Sequence, residues 1–325
     1  SLSQSNNTIT ITAGTLAFSN GQINLVVTNG RTSNTAVIDV SASYAPDWTT
    51  VSEQQKIQSS DRQINGYFGR SVAIDGDTAI VGAYAEDTVG ADAGVAYIFT
   101  RSGSTWTQQQ KIQASDAQAS DAFGFSVAID GDTAIVGARL EDTGATNAGA
   151  AYIFTRSGST WTEQQKIQAS DAQIGDTFGN SVAISGDTAI VGANSVDNVG
   201  SNVGAAYIFT RSGSTWTEQQ KIQSSDAEES DNFGYSVAID GDTAIVGAYV
   251  EDTGGNNAGA SYIFTRSGST WTEQQKIQSS DIEPNDRFGY SVAVDGDVVI
   301  VGAYQEDTGG SNAGAAYIFT RSGST

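Results

Sequence analysis

Five aspartates, Asp87, Asp142, Asp197, Asp252 and Asp307, recur at a constant spacing, and five positions after each stands Asp92, Asn147, Asn202, Asn257 or Asn312. A neighbouring acid is less regular: Glu86, Glu141, Glu251 and Glu306 occupy one position, but Val196 replaces it in the third copy. A carboxylate, a second side-chain oxygen and glycines that free backbone carbonyls suit a hard cation such as calcium, which takes about six to eight oxygens. These ten Asp and Asn residues are therefore candidate metal ligands, and calcium is the candidate cofactor. The same residues suit a turn in which Asp and Asn cap backbone groups through local hydrogen bonds, and that is the competing reading. Two further invariant sets, Asp61 with Asp116, Asp171, Asp226 and Asp281, and Asp77 with Asp132, Asp187, Asp242 and Asp297, lie beside turns and fit capping better.

Other chemistry is excluded by what is missing. The 325 residues contain no His and no Cys, which removes imidazole bases, Ser-His-Asp triads, thiolate nucleophiles and zinc-thiolate sites. Catalytic sites need different groups in fixed roles, yet all five lysines occupy one repeat position. No enzyme is expected. Cleavage of glycosides by paired carboxylates is the remote alternative. A net charge of -22 repels nucleic-acid phosphates and anionic membranes and attracts cations. No run approaches the roughly 18 to 20 apolar residues of a membrane-spanning helix, so direct membrane insertion is not expected. The chain starts Ser-Leu-Ser and lacks Met, which reads as removal of a secretion signal or as an excerpt of something longer.

The acids are carried by a repeat. Trp106, Trp161, Trp216 and Trp271 head near-identical copies, preceded by a looser copy from Trp48, so the expected repeats are 48–105, 106–160, 161–215, 216–270 and 271–325. A unit this small cannot bury its own apolar face and must stack on its neighbours. Within each copy, SVAID alternates, an Asp-Gly turn follows and TAIVGA returns, which is a tight hairpin. The Gly/Asp/Asn-rich loop then leads to an aromatic, β-branched strand, and WTEQQKIQ after the RSGST turn supplies a fourth. Four short antiparallel strands per repeat predict a propeller blade, with a solenoid as the rival.

The expected fold is therefore all-β: a five-bladed propeller over 48–325. The last copy stops before its fourth strand and the first begins with an orphan one, so strand complementation between Trp48–Gln58 and Tyr317–Thr320 is expected to close the ring. Residues 1–47 form a separate N-terminal β segment, read either as the tail of an immunoglobulin-like module or as a degenerate sixth blade. Its four strands fall in NTITITA, TLAFS, INLVVTNG and TAVIDVSA, with turns at Asn20-Gly21 and Asn29-Gly30, and Pro46 marks the joint.

Phe68-Gly69, Phe123-Gly124, Phe178-Gly179, Phe233-Gly234 and Phe288-Gly289 each precede a Gly-Ala pair: Gly82-Ala83, Gly137-Ala138, Gly192-Ala193, Gly247-Ala248 or Gly302-Ala303. This pattern resembles the FG-GAP repeat, the blade unit of integrin α-subunit propellers and of many microbial surface proteins. The physical reading of the motif is packing, with Phe filling the wedge between blades and Gly permitting close approach or a positive φ. Tyr97, Tyr152, Tyr207, Tyr262 and Tyr317 are read as core. Two departures matter. The terminal proline of the family motif is replaced by Tyr84, Arg139, Asn194, Tyr249 and Tyr304. The Asp-rich calcium loop of integrin-like blades is reduced to a DGD turn, so that calcium site does not transfer.

The resemblance implies an extracellular or cell-surface protein used for adhesion or recognition, with a protein or glycan ligand at one propeller face. The pairs Tyr84-Ala85, Arg139-Leu140, Asn194-Ser195, Tyr249-Val250 and Tyr304-Gln305 vary between copies while their flanks are fixed, as does Arg62–Tyr67 with its equivalents. If a partner binds, those are the expected contact positions; neutral drift on exposed loops is the competing reading. The alternative is a structural subunit of an extracellular filament, in which copies of the chain link through the N-terminal β segment.

Overall fold

The computed structural model describes residues 52–197 and 199–322 in full, together with the backbone of four strands nearer the N terminus. The chain divides into two compact units, Ser1–Gln54 and Gln55–Thr325. In the first, β1 (Leu2–Ser5) pairs with β2 (Thr8–Ile11), and β3 (Gly21–Thr28) pairs with β4 (Ser33–Val40). Asn20, Asn29 and Gly30 of the expected turns lie outside the described residues, and Gly21 opens β3. The expected strand at TLAFS, the joint at Pro46 and the Trp48–Val51 part of the closing strand lie outside the described residues.

The second unit is five sheets in chain order. Blade one is β5 (Ser71–Asp75), β6 (Thr78–Ala83), β7 (Val95–Ser102) and β8 (Thr105–Ile112). Blade two is β9 (Phe123–Asp130), β10 (Thr133–Ala138), β11 (Ala150–Ser157) and β12 (Thr160–Ile167). Blade three is β13 (Ser181–Ser185), β14 (Thr188–Ala193), β15 (Ala205–Ser212) and β16 (Thr215–Ile222), and blade four is β17 (Ser236–Asp240), β18 (Thr243–Ala248), β19 (Ala260–Ser267) and β20 (Thr270–Ile277). Blade five has three strands, β21 (Phe288–Asp295), β22 (Val298–Ala303) and β23 (Ala315–Thr320). All pairs are antiparallel, and the five innermost strands surround one axial cavity. The fold is a five-bladed β-propeller, with no helix among the described residues. The tight turn sits one residue later than expected: Asp75 pairs with Thr78, so the loop is Gly76-Asp77, with Gly76 at φ 54°.

The junction between blades explains the Phe-Gly and Gly-Ala pairs. Each core cluster spans two blades, as where Ile135, Ile153 and Ile167 of blade two meet Phe178, Val191, Tyr207 and Trp216 of blade three. Phe178 is fully buried, edge-on to Tyr207 and Phe209 with centroids 5.5 and 5.9 Å away. At the axis, a Cβ placed on Gly192 would lie 2.0 Å from the carbonyl oxygen of Gly234 in the next blade, so only glycine allows this approach. The Ser181 hydroxyl donates to that same carbonyl at 2.9 Å, and Gly234 N–H donates back within its own blade to Gly247 O at 3.1 Å. The serine bond recurs from Ser71 to Gly124, Ser126 to Gly179 and Ser236 to Gly289.

The fifth junction is not built this way. Among the described residues Ser291 has no such bond, and a Cβ on Gly302 would meet only Ser291. Val72 and Ile74 are 67% and 64% exposed, against 8% and 9% for their counterparts Val127 and Ile129. On the other side Ile318 is 69% exposed where Ile153 is fully buried. The expected strand complementation is therefore only half present. Gln55 exchanges two hydrogen bonds with the backbone of Trp106, each 2.8 Å, as Gln110 does with Trp161, and Ile57 packs on the blade-one core. Residues 55–58 thus hold the place relative to blade one that a fourth strand should. They run without strand pairing, and β23 has β22 as its one partner among the described residues. Among the described residues no hydrogen bond ties this segment to β23, so four junctions are tightly built and the fifth is an open seam over those residues.

This asymmetry makes a prediction. Phe178→Ala should cost about 3 to 5 kcal/mol of unfolding free energy, as for a fully buried aromatic. Phe68→Ala, at the partly exposed seam, should cost distinctly less; equal losses in denaturant titrations would contradict the open seam.

Candidate functional site

The acidic loops come first because their spacing drew attention. In each loop the aspartate carboxylate accepts the backbone N–H of the residue five positions on. The distances are 2.9 Å for Asp87 and Asp92, 2.6 Å for Asp142 and Asn147, 2.7 Å for Asp197 and Asn202, and 2.6 Å for Asp252 and Asn257, with Asp307 and Asn312 bonded likewise. The second residue is left-handed in every blade, at φ from 51° to 54°, a conformation that Asn and Asp tolerate best among residues with a side chain. The structure thus brings the paired residues together as turn caps. Among the described residues no group of three or more acidic side chains is placed to hold a metal.

The other invariant acids are also engaged. The Tyr97 hydroxyl oxygen lies 2.6 Å from Asp61 and 2.5 Å from Glu86, its single proton shared between them, while the Lys111 ammonium donates to Asp61 at 2.6 Å. The arrangement recurs as Tyr152, Asp116, Lys166 and Glu141, and as Tyr262, Asp226, Lys276 and Glu251. Tyr207, Asp171 and Lys221 lack the glutamate, since Val196 replaces it, and Tyr317 bonds Asp281. Asp77 and its equivalents grip the repeated arginines, with Arg101 at 2.6 Å. These are structural clasps between strands.

The positions that differ between copies gather elsewhere, at one end of the axis. The axial cavity, about 450 Å³, is ringed at one level by the invariant serines, at the next by the invariant valines of the inner strands, and at its mouth by Arg70, Phe125, Asn180, Tyr235 and Tyr290. Comparison of copies pointed to Tyr84 and its equivalents but passed over this position, which follows the invariant Phe-Gly pair and also changes in nearly every copy. Tyr84 stands edge-on to Phe125 with centroids 5.4 Å apart, and Tyr67 stacks on Tyr84 at 5.2 Å. Across the mouth Tyr235, Tyr249, Tyr290 and Tyr304 form a chain of ring contacts between 4.2 and 5.6 Å. Thr177, Asn194 and Asn232 make a polar sector between these groups. The residue before each Phe-Gly pair, Tyr67, Ala122, Thr177, Asn232 or Arg287, is left-handed at φ from 51° to 63°. Strain of this kind, unusual above all for β-branched Thr177, collects at binding surfaces.

The buried acids set a pH dependence. Lys111 and Tyr97 hold the Asp61 carboxyl below the usual range. At Asp116, Asp171 and Asp226 burial pushes upward, but the lysine and tyrosine donors outweigh it and these too are lowered. Burial raises Asp121 and Asp231 to about 6, against the backbone N–H groups of Gln118 and Glu228 that they cap. A lowered carboxyl contributes stability above about pH 4 that is lost as pH falls through its folded value. A raised one contributes stability that is complete below about pH 4 and lost as pH rises through its folded value. The melting temperature should therefore rise from pH 7 to pH 5 and fall steeply under about pH 3.5. Asp121→Asn with Asp231→Asn should flatten the first limb; a profile unchanged in this variant would contradict the assignment.

A family model of the FG-GAP repeat matches five times, at residues 51–99, 106–154, 161–209, 216–264 and 271–319. No match is found among curated proteins. Each matched stretch carries the Phe-Gly and Gly-Ala pairs whose glycines meet across the blade junctions, and together the five cover most of the sequence. The chain belongs to the FG-GAP repeat family.

Proposed function

We propose that this chain is a non-enzymatic recognition propeller, acting outside the cell or at its surface, whose ligand is a protein or glycan bound at the axial end carrying the variable residues. One observation carries the reading. Repeats that agree almost letter for letter in core, turns and junctions disagree at the positions of Tyr67, Arg70 and Tyr84, and these three converge on one mouth. A scaffold that needed only to fold would have no reason to concentrate its differences there. Aromatic rings beside arginine and amide groups are the side chains that dominate binding hot spots. The family's fold is typically non-catalytic, and the repeated acids of this chain are taken up by caps and clasps.

A second reading has a specific observation in its favour. The edge of β23, which has no second partner among the described residues, and the exposed Val72, Ile74, Ile300 and Ile318 at the seam suit pairing with a second copy, which would link propellers into an assembly.

The test is a screen of the full chain on arrays of glycans and of secreted and surface proteins, repeated with Tyr84→Asn, Arg139→Asn, Tyr249→Asn and Tyr304→Asn combined, which copies blade three. Binding that falls at least tenfold while the melting temperature stays within a few degrees is expected. Binding unaffected by the four changes would overturn the reading. Light scattering on the same samples separates the second reading, for which concentration-dependent growth is expected.

A further inference from the structure

The distribution of positive charge narrows the ligand class. Of the fifteen basic residues, ten belong to the repeat, five arginines and five lysines. The repeated arginines sit on the carboxylates of the tight turns, and four of the repeated lysines on the Tyr-Asp clasps. Arg70 and Arg139 belong to neither set, and among the described residues neither has an ion pair. They come from adjacent blades and stack on the same ring, their guanidinium carbons 4.6 and 3.9 Å from the centroid of Phe125. Arg139 Nε is buried with no hydrogen-bond partner, and the nearest acceptor of its Nη1, Asn180 Oδ1, is 3.5 Å away. Burial first, and then the charge of Arg70, lower the pKa of Arg139. Arg287, the third arginine at the mouth, is by contrast satisfied by Asn257 and Gln305.

Two like charges held on one ring, one of them with an orphaned donor, are unfavourable unless an anion lies between them. In a chain of net charge -22 the nearest remedy, a carboxylate of its own, is abundant everywhere else and missing here. Guanidinium forks match carboxylate geometry, and charge-assisted bonds of this kind are the strong ones. Beside them Tyr67, 56% exposed, lies flat on Tyr84 and offers an aromatic face next to the charge. A cavity of about 450 Å³ below is of the size that small ligands fill. A planar anion alone would leave that face unused; a sugar ring bearing a carboxylate uses both.

We propose that Arg70 and Arg139 bind the carboxylate of a hexuronate, free or as the terminal unit of an acidic polysaccharide, with the sugar ring against Tyr84 and Tyr67. This rests on the recognition reading of the axial mouth and names its ligand class. The test is a titration of the full chain, followed by ligand-observed NMR, with D-glucuronate and D-galacturonate against D-glucose and acetate. Saturable binding of at least one uronate is expected, at least tenfold tighter than glucose or acetate. Arg139→Gln and, separately, the exposed and more conservative Arg70→Gln should each weaken it at least tenfold while the melting temperature is kept. A failure of both uronates to bind, or equal binding by both variants, overturns the proposal; acetate binding as tightly as the uronates overturns the sugar assignment. If the uronates fail while an array partner is still lost on changing Tyr84, Arg139, Tyr249 and Tyr304, this ligand class is wrong and the recognition reading stands.

Discussion

Everything in this propeller depends on how closely two backbones meet at the axis. The second glycine of one blade's pair, Gly192 for example, abuts the carbonyl of Gly234 in the next, and Ser181 bonds that same oxygen. The approach excludes any side chain, and it brings the inner strands near enough for Phe178 to fill the wedge behind them. A single contact type thus sets the spacing of the blades, the closure of each two-blade core and the bore of the cavity. Because a blade buries its apolar face only against a neighbour, stability belongs to the junctions more than to the blades.

Much of this was legible in the sequence, for a physical reason. Period-two alternation, Gly-Asp turns and Gly-rich loops are local signals, and fivefold repetition removes their ambiguity, so strands and blades could be placed before any coordinates. The turn moved by one residue because Asp75 and Gly76 are both turn formers and only the pairing of Asp75 with Thr78 decides between them. That the two glycines of the Phe-Gly and Gly-Ala pairs face each other across a blade boundary is a relation between copies, which a single repeat read alone does not contain. The seam is a relation of the same kind. The segment around Gln55 looks like a missing fourth strand and docks on blade one as such.

At the site the sequence was a weaker guide. Invariance among the copies singled out Asp87 and Asp142, but a cap and a metal ligand both demand invariance, so it does not separate the two; the left-handed Asp92 and Asn147 serve the cap. Variation was the better signal. It marked Tyr84 and Arg139, and applied to the residue after Phe-Gly it would also have marked Arg70, Phe125 and Tyr235. What no pattern could supply is that Arg70 and Arg139, sixty-nine positions apart, share one phenyl ring.

The molecule therefore divides its sequence between two tasks, a repeated part that holds blades together and a small unrepeated part that faces the axis opening. The first claim underlies the second, since without the glycine contact the variable residues would not converge. Equilibrium unfolding of Gly192→Ala beside Gly213→Ala tests it most directly. Both add one methyl group, but Gly213, at φ 63°, has open space around its Cβ position, whereas Gly192 has a backbone carbonyl 2.0 Å away. The account predicts a loss of about 1 kcal/mol at Gly213, the usual cost of a left-handed residue with a side chain, and several times that or outright failure to fold at Gly192. Equal, small losses at the two positions would contradict it.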